Sequence, residues 1–260
     1  MICFYSGCGN SRWVAQQLAA HLEDKMIFIP DALRSRQRIT LHEREALGLV
    51  FPIYAWDVPT VVRQFVKQCL DVEAGAEVYV YVACTCGDDA GLAVQRLSKL
   101  LKRQGLKVSA DFGFVMPETY INLPGFTLDT SEGERQKLQH AEALMPEVVD
   151  AVRRRASTSL TPRGKQAWLK SYVVSALFNA LLISDRPFRV EEQCVGCGRC
   201  AEVCPAQNVV MSEGKGATRR PQWQHHCWGC MACYHHCPVQ AIQRGRHTLG
   251  KGQYYYGHTR

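Results

Sequence analysis

Along the first 155 residues, short apolar runs alternate with segments whose apolar positions recur every three or four residues. Residues 1–5 are apolar up to a glycine-rich turn, which predicts a buried strand. Val14, Leu18 and Leu22 then mark one helix face. Residues 26–29 predict a second strand and residues 46–51 a third, stopped by Pro52. Pro59 opens a helix in its first turn, with Val62, Phe65, Val66 and Cys69 on the inner stripe. The run EVYVYVA predicts a fourth strand, Leu92, Leu97, Leu100 and Leu101 a helix, and residues 107–115 a fifth strand. A long helix follows through Leu138, Met145, Val149 and Val152. Five strands with intervening helices predict an α/β domain, a doubly wound parallel five-stranded sheet covered on both faces.

The pattern changes at Arg153. A basic, Ser/Thr-rich stretch over residues 153–159 reads as a helix end and linker, and residues 166–183 as one more helix, placed to pack between two domains. The expected division is 1–155, a connecting segment 156–187, and a small module 188–260. Its tail from residue 247 carries Tyr254, Tyr255 and Tyr256 and reads as disordered unless it docks.

The chain has 260 residues, 47% of them hydrophobic, enough for one or two real cores. Its charge is uneven. Residues 1–150 hold 15 Lys/Arg against 19 Asp/Glu, and residues 151–260 hold 16 against 5. The basic half suggests steering of a redox partner protein with an acidic docking surface; nucleic-acid binding is not expected. The apolar run over residues 172–183 is too short for a membrane span, and the N-terminus lacks the pattern of a secretory leader. A cytoplasmic, oxygen-poor setting is the expectation.

Of thirteen cysteines, eight fall in two runs. Cys194-x2-Cys197-x2-Cys200-x3-Cys204-Pro205 and Cys227-x2-Cys230-x2-Cys233-x3-Cys237-Pro238 both carry the spacing that holds a [4Fe–4S] cubane. Structural zinc uses paired Cys or Cys/His motifs, and a disulfide framework belongs to shorter secreted chains. In two-cluster proteins the fourth Cys ligates the other cluster. One cluster is therefore expected on Cys194, Cys197, Cys200 and Cys237, and the other on Cys227, Cys230, Cys233 and Cys204. The segment 188–246 resembles bacterial two-cluster ferredoxins at all eight ligand positions. His226 and His236 precede ligands and are candidates for tuning the cluster potential.

A second site is expected where the strands of a doubly wound sheet end. The first end reads Ser6-Gly7-Cys8-Gly9-Asn10-Ser11, small residues leading into a helix N-terminus, which is a phosphate cradle. It is neither a P-loop nor a dinucleotide fingerprint. The third strand ends in Pro52-Ile53-Tyr54-Ala55-Trp56, two aromatic rings where a planar ligand could lie, and the fourth in Thr85-Cys86-Gly87-Asp88. Residues 1–152 resemble a flavodoxin domain. The resemblance implies FMN, with Ser6, Gly7, Cys8, Gly9, Asn10 and Ser11 around the phosphate. Tyr54 and Trp56 would then flank the ring, and Cys86, Gly87 and Asp88 would meet its polar edge. Cys8 replaces a usual hydroxyl; beside a helix N-terminus its pKa is expected to fall. Residues 116–126 resemble the Met-Pro-x-x-Tyr stretch of flavodoxin–ferredoxin fusion proteins, and should lie over the flavin edge or between flavin and clusters.

That resemblance implies electron transfer between two [4Fe–4S] clusters and FMN, serving a partner redox enzyme. The alternative is an FMN-dependent reductase of a small molecule, with Tyr120 or Tyr54 as proton donor. A cavity over the ring would favour the reductase. The sequence shows no general acid/base pair and no Ser/His/Asp arrangement.

Overall fold

The computed structural model describes residues 1–215 and 218–258; the last two residues of the tail lie outside the described residues. Its elements run β1 (Ile2–Phe4), α1 (Asn10–Leu22), β2 (Met26–Phe28), α2 (Ile29–Arg34), β3 (Ile39–Leu41), β4 (Ala46–Pro52), α3 (Thr60–Gln68), β5 (Leu70–Val72), β6 (Tyr79–Cys86), α4 (Ala93–Lys102), β7 (Val108–Val115), α5 (Ser131–Arg153) and β8 (Thr158–Leu160). Then follow α6 (Ala167–Leu169), a π-helical stretch (Lys170–Val174), α7 (Ser175–Leu181), β9 (Phe188–Val190), α8 (Arg199–Glu202), β10 (Val209–Met211), β11 (Pro221–Trp223), α9 (Ala232–His235) and β12 (Ile242–Arg244).

The central sheet is parallel and six-stranded, in the order β2-β1-β4-β6-β7-β8. Strands β3 and β5 pair with each other outside it. Set apart from that pair, the order is the doubly wound one of flavodoxin-like sheets with one strand added at the edge. Side-chain alternation explains why both faces are closed. Cys3, Tyr5, Leu49, Phe51, Val80 and Val82 face a core with Val62 and Phe65 of α3 and Leu97 and Leu101 of α4. Ile2, Phe4, Val50, Tyr81, Ala83 and Phe112 face Val14 and Leu18 of α1 and Met145 and Val148 of α5.

The sixth strand corrects the expected count of five. Thr158–Leu160 lies in the stretch expected to be a linker, and pairs in parallel with Ala110–Phe112 of β7. It is a short, half-exposed edge strand, so it carries no apolar run that could announce it. The expected helix over residues 166–183 is present, but its middle widens to π geometry. It touches both parts of the chain. The Leu92 amide donates to Ser171 Oγ at 2.7 Å, and Arg244 donates to the Leu182 carbonyl at 2.6 Å.

The C-terminal part is a small α+β unit of two antiparallel pairs, β9 with β12 and β10 with β11. Each short helix, α8 and α9, carries the third cysteine of one motif, Cys200 or Cys233. Among the described residues no helix is long and apolar enough to cross a membrane.

Candidate functional site

Strands β1 and β4 are neighbours whose connections leave in opposite directions, β1 to β2 on one side and β4 to β6 on the other. A crevice opens there at their C-terminal ends. Ser6 Oγ accepts from the Gly9 amide at 3.1 Å and folds the loop. Gly9, at φ 99°, caps α1 in a left-handed conformation that a side chain rarely adopts. Ser11 Oγ and Thr85 Oγ1 stand 2.7 Å apart and tie the first loop to the end of β6. The first-turn amides of α1 are thereby presented to the crevice.

The loop after β4 is a tight turn. Tyr54 and Asp57 exchange both main-chain hydrogen bonds at 3.0 Å, and Ala55 and Trp56 sit at φ 46° and 57°. Positive φ at two non-glycine residues costs of order 1–3 kcal/mol each and is kept where surroundings enforce it. Here Lys170 lies over the Trp56 ring at 5.0 Å, and Asp57 is held by Arg63 and Arg96, each at 2.9 Å.

The loop after β6 is braced from below and above. Lys137 donates to the Gly87 carbonyl at 2.9 Å, and Lys170 pairs with Asp89 at 2.6 Å. Glu118 packs against Gly87 and accepts from the Thr119 and Tyr120 amides at 2.9 and 2.7 Å. Burial raises the Glu118 carboxyl above its ordinary value, against the opposing pull of those two amides and of Lys137.

These three loops line one cavity of about 640 Å³, within the range of ligand sites. Every residue expected around the coenzyme lines it except Gly9: Ser6, Gly7, Cys8, Asn10, Ser11, Pro52, Ile53, Tyr54, Ala55, Trp56, Thr85, Cys86, Gly87 and Asp88. The wall is completed by elements the strand-end argument did not reach. They are the loop Pro117–Tyr120 with Asn122, Leu123 and Phe126, the helix residues Val174, Leu177, Phe178 and Leu181, and Trp228, Cys230 and Arg244. Residues 117–126 thus lie at the cavity as expected, and also on the C-terminal unit. His235 bonds the Thr119 carbonyl at 2.8 Å, and Ile121 packs in a cluster with Cys200, Cys233 and Cys237.

Of the eight motif cysteines, Cys200, Cys233 and Cys237 are buried and Cys197 is exposed. Cys194, Cys197, Cys200 and Cys237 line one small cavity near the surface, with Met211, Pro221, Pro238 and Ile242. Cys233 is buried with the thiols of Cys230, Cys227, Cys204 and Cys200 as neighbours. Burial first, then these neighbouring thiols, pushes Cys233 well up; Cys230 is pushed to about 12, and Cys227 and Cys200 to about 11. Burial thus keeps Cys227, Cys230 and Cys233 as neutral thiols on their own, and coordination by metal deprotonates thiols outright. The donor set therefore fits a thiolate-bound cluster. Main-chain amides aim at sulfur as well: Asn208 at Cys204, Gly229 at Cys227 and Ala241 at Cys237, each at 3.2 Å. Among the described residues no three His, Cys, Asp or Glu side chains converge as on a single ion. A cubane spreads its ligands over four metal corners, so that arrangement is not required of it.

The second motif is the one that meets the cavity. A Cβ built on Gly7 would lie 2.7 Å from Cys230 Cβ, and Cys8 Sγ reaches the Cys230 carbonyl at 3.4 Å. Trp228 packs edge-on to Tyr5 at 5.9 Å and joins the core of the sheet domain.

Two expectations need correction. Cys8 is buried, and burial followed by the nearby Cys230 raises its pKa well above the ordinary thiol value rather than lowering it. The helix terminus cannot compensate for lost solvent. His226 and His236 point their ring nitrogens at the carbonyls of Gln224, Ala206 and Ala232, not at sulfur. His235, their neighbour in the chain, is fully buried.

Two structural hubs escaped the sequence reading. Asp185 accepts from Asn208 at 2.9 Å and from the His225 amide and ring at 2.8 and 2.9 Å, holding the two motif loops together. The tail is a strap. Lys251 donates to the carbonyls of Ile121, Leu123 and Phe126, and Gln253 to those of Tyr234 and Cys237. Tyr254 is buried with its hydroxyl 2.8 Å from Asn10 Oδ1, and Tyr256 stacks on Trp13 at 5.6 Å. Three tyrosines in an otherwise polar terminus were the available signal.

Residues 193–242 match the family model of the 4Fe-4S dicluster domain. Among solved structures, the Trp repressor binding protein from Bacillus subtilis is 17% identical, with a TM-score of 0.32 over 55% of this chain and 97% of that one. An NAD(P)H:quinone oxidoreductase from Methanothermobacter marburgensis is 16% identical, with a TM-score of 0.35 over 56% and 94%. Among curated proteins, none matches the chain in sequence.

Proposed function

We propose that the chain transfers electrons between two [4Fe–4S] clusters and an FMN held in the large cavity. The carrying observation is the contact of Gly7 with Cys230, which joins the phosphate cradle to a ligand of the second motif. In this reading Cys194, Cys197, Cys200 and Cys237 hold the outer cluster, and Cys227, Cys230, Cys233 and Cys204 the inner one. The loop 6–11 takes the phosphate, Tyr54 and Trp56 flank the ring, and residues 85–88 meet its edge. When bound, FMN supplies a converter between one-electron and two-electron chemistry. The chain supplies the rest. Gly7 permits close approach, the strap fixes the two units in register, and the apolar cavity wall excludes water from the ring.

The outer motif is the entry point for a partner protein. Cys197 is exposed, Arg199 and Lys215 stand nearby in sequence, and the basic half suits an acidic docking surface. Thiolate ligation of two clusters calls for a reducing compartment such as the cytoplasm. We take 1–155, 156–187 and 188–260 as coenzyme domain, connector and cluster domain.

A second reading, an FMN-dependent reductase of a small molecule, is favoured by one observation. The cavity extends past the three strand-end loops to Tyr120, Leu177, Phe178 and Leu181, a wall the coenzyme loops do not need. Burial pushes the Tyr120 hydroxyl to about 12, against the pull of Arg244, so it would keep its proton until a substrate took it.

The test is anaerobic purification with metal, sulfide and flavin analysis. About eight iron and eight sulfide per FMN are expected. Loss of flavin with iron retained refutes the coenzyme assignment alone; colourless protein refutes both. Reduction of the flavin through the clusters, with no turnover of added small acceptors, favours the carrier.

A further inference from the structure

The helical segment 167–181 is turned inside out. Its buried side is polar. Ser171 and Ser175 are both fully covered, Ser175 Oγ lies 3.3 Å from Asp57 Oδ2, and Asn179 bonds the Ser175 carbonyl at 2.8 Å. Its outer side is apolar: Trp168 is 64% exposed, Leu169 45%, Val173 40%, Leu177 57% and Leu181 72%. The last four repeat every four residues, and the exposed positions between them, Ala176 and Ala180, are apolar too. A surface helix ordinarily shows water its polar face. A continuous apolar stripe of this kind marks a surface that something covers.

The surroundings indicate what covers it. No Asp or Glu occurs between residues 151 and 184, while Arg163, Lys165 and Arg186 are exposed at the two ends of the helix. Lys99 flanks it beside Tyr172, at 5.9 Å from the ring, while Arg96 there is committed to Asp57. Of the nearby carboxylates, Asp57, Asp89 and Asp185 are buried and paired with Arg63, Lys170 and His225, and Asp88 at the cavity is exposed. Asp88 apart, the cations stand at the rim and the anions lie beneath. The stripe itself offers no side-chain hydrogen bond, whereas a protein interface carries about one per 100–200 Å². Leu177 and Leu181 also line the cavity, so its mouth opens on this same face.

We propose that this helix seats the protein on an anionic lipid surface, its apolar side among the acyl chains and its basic rim at the headgroups. An in-plane helix with a Trp at one end and a cationic border has the required chemistry. The inference does not depend on which coenzyme fills the cavity.

The holoprotein is mixed with phosphatidylcholine vesicles, with and without phosphatidylglycerol, and floated on a density gradient. Binding is expected only with phosphatidylglycerol present, and it weakens as salt is added. Leu169→Glu with Val173→Glu, neither of which lines the cavity, is expected to lower partitioning by about tenfold per residue. Arg163→Glu with Lys165→Glu abolishes the preference for anionic vesicles. Both variants keep the parent absorbance spectrum and melting temperature, which separates lost docking from lost folding. Holoprotein that stays unbound at low salt overturns the proposal. So does equal binding to neutral vesicles, or a dimer in sedimentation that the Leu169/Val173 variant dissociates.

Discussion

Replacing Gly7 by alanine tests the contact that carries the proposed electron path. Gly7 is not among the positive-φ glycines, so alanine meets no backbone penalty and any effect reports the space around it. The added Cβ would fall 2.7 Å from Cys230 Cβ, 3.2 Å from its carbonyl oxygen and 3.4 Å from its sulfur. Carbon atoms in contact prefer about 3.5–4.0 Å, so roughly 1 Å of retreat is needed. The obstruction is a Cβ and a main-chain oxygen, which no rotamer change can remove. Overpacking of this kind costs about 1–3 kcal/mol. For a chain of this size each kcal/mol moves the melting temperature by about 2–4 °C, so a fall of about 2–12 °C is expected. The assay is thermal unfolding of the anaerobic holoprotein, with the rate of cluster-to-flavin electron transfer measured after pulsed reduction. Both should drop while iron content stays unchanged. Gly133→Ala, in the first turn of helix α5, whose Cβ would meet the Thr130 hydroxyl at 3.3 Å and Asp129 side-chain atoms at 3.8 and 3.9 Å with no backbone in the way, is the control and should be neutral or stabilising by up to about 1 kcal/mol. Equal melting temperatures and transfer rates for Gly7→Ala and the parent protein would refute the packed interface.

Three further outcomes are expected. Tyr254→Phe removes the hydroxyl that meets Asn10 Oδ1, and FMN affinity should weaken by several-fold, in line with a net hydrogen bond of about 1 kcal/mol; an unchanged titration shows that the strap does not order the cradle. Glu118 has a folded pKa above its ordinary 4.5, so the folded state holds more protons there, and stability falls as pH rises from about 4.5 through the folded value. Glu118→Gln should flatten that fall in a series of melts across weakly acidic pH, and parallel curves for the two proteins would refute it. Mild alkylation of native protein should leave Cys8 unmodified, because burial keeps it a protonated, inaccessible thiol; early labelling of Cys8 in peptide mass spectra would contradict the buried loop.

The parts of the structure that the chain declares on its own are those with a local signature. Strands β4 and β6 are apolar runs because a parallel sheet is covered on both faces, and such runs stand out in any window of the sequence. The small residues at 6–11 and the two cysteine motifs are equally local, since each is a run of fixed spacing within a few residues of chain. What lay beyond local reading came from contacts between distant segments. The Thr158–Leu160 edge strand needs only the free edge of β7, and the β3–β5 pair needs only each other. Helix 167–181 shows an apolar period in sequence, yet the period does not say that the serine side turns inward; Leu92 and Asp57 decide that by offering hydrogen bonds. The contact of Cys8 with Cys230 spans 222 residues, and the strap returns to Asn10 from Tyr254. Periodicity records which side of an element avoids water, whereas the partner it meets depends on the shape and polar groups of surfaces that exist only once the chain has folded.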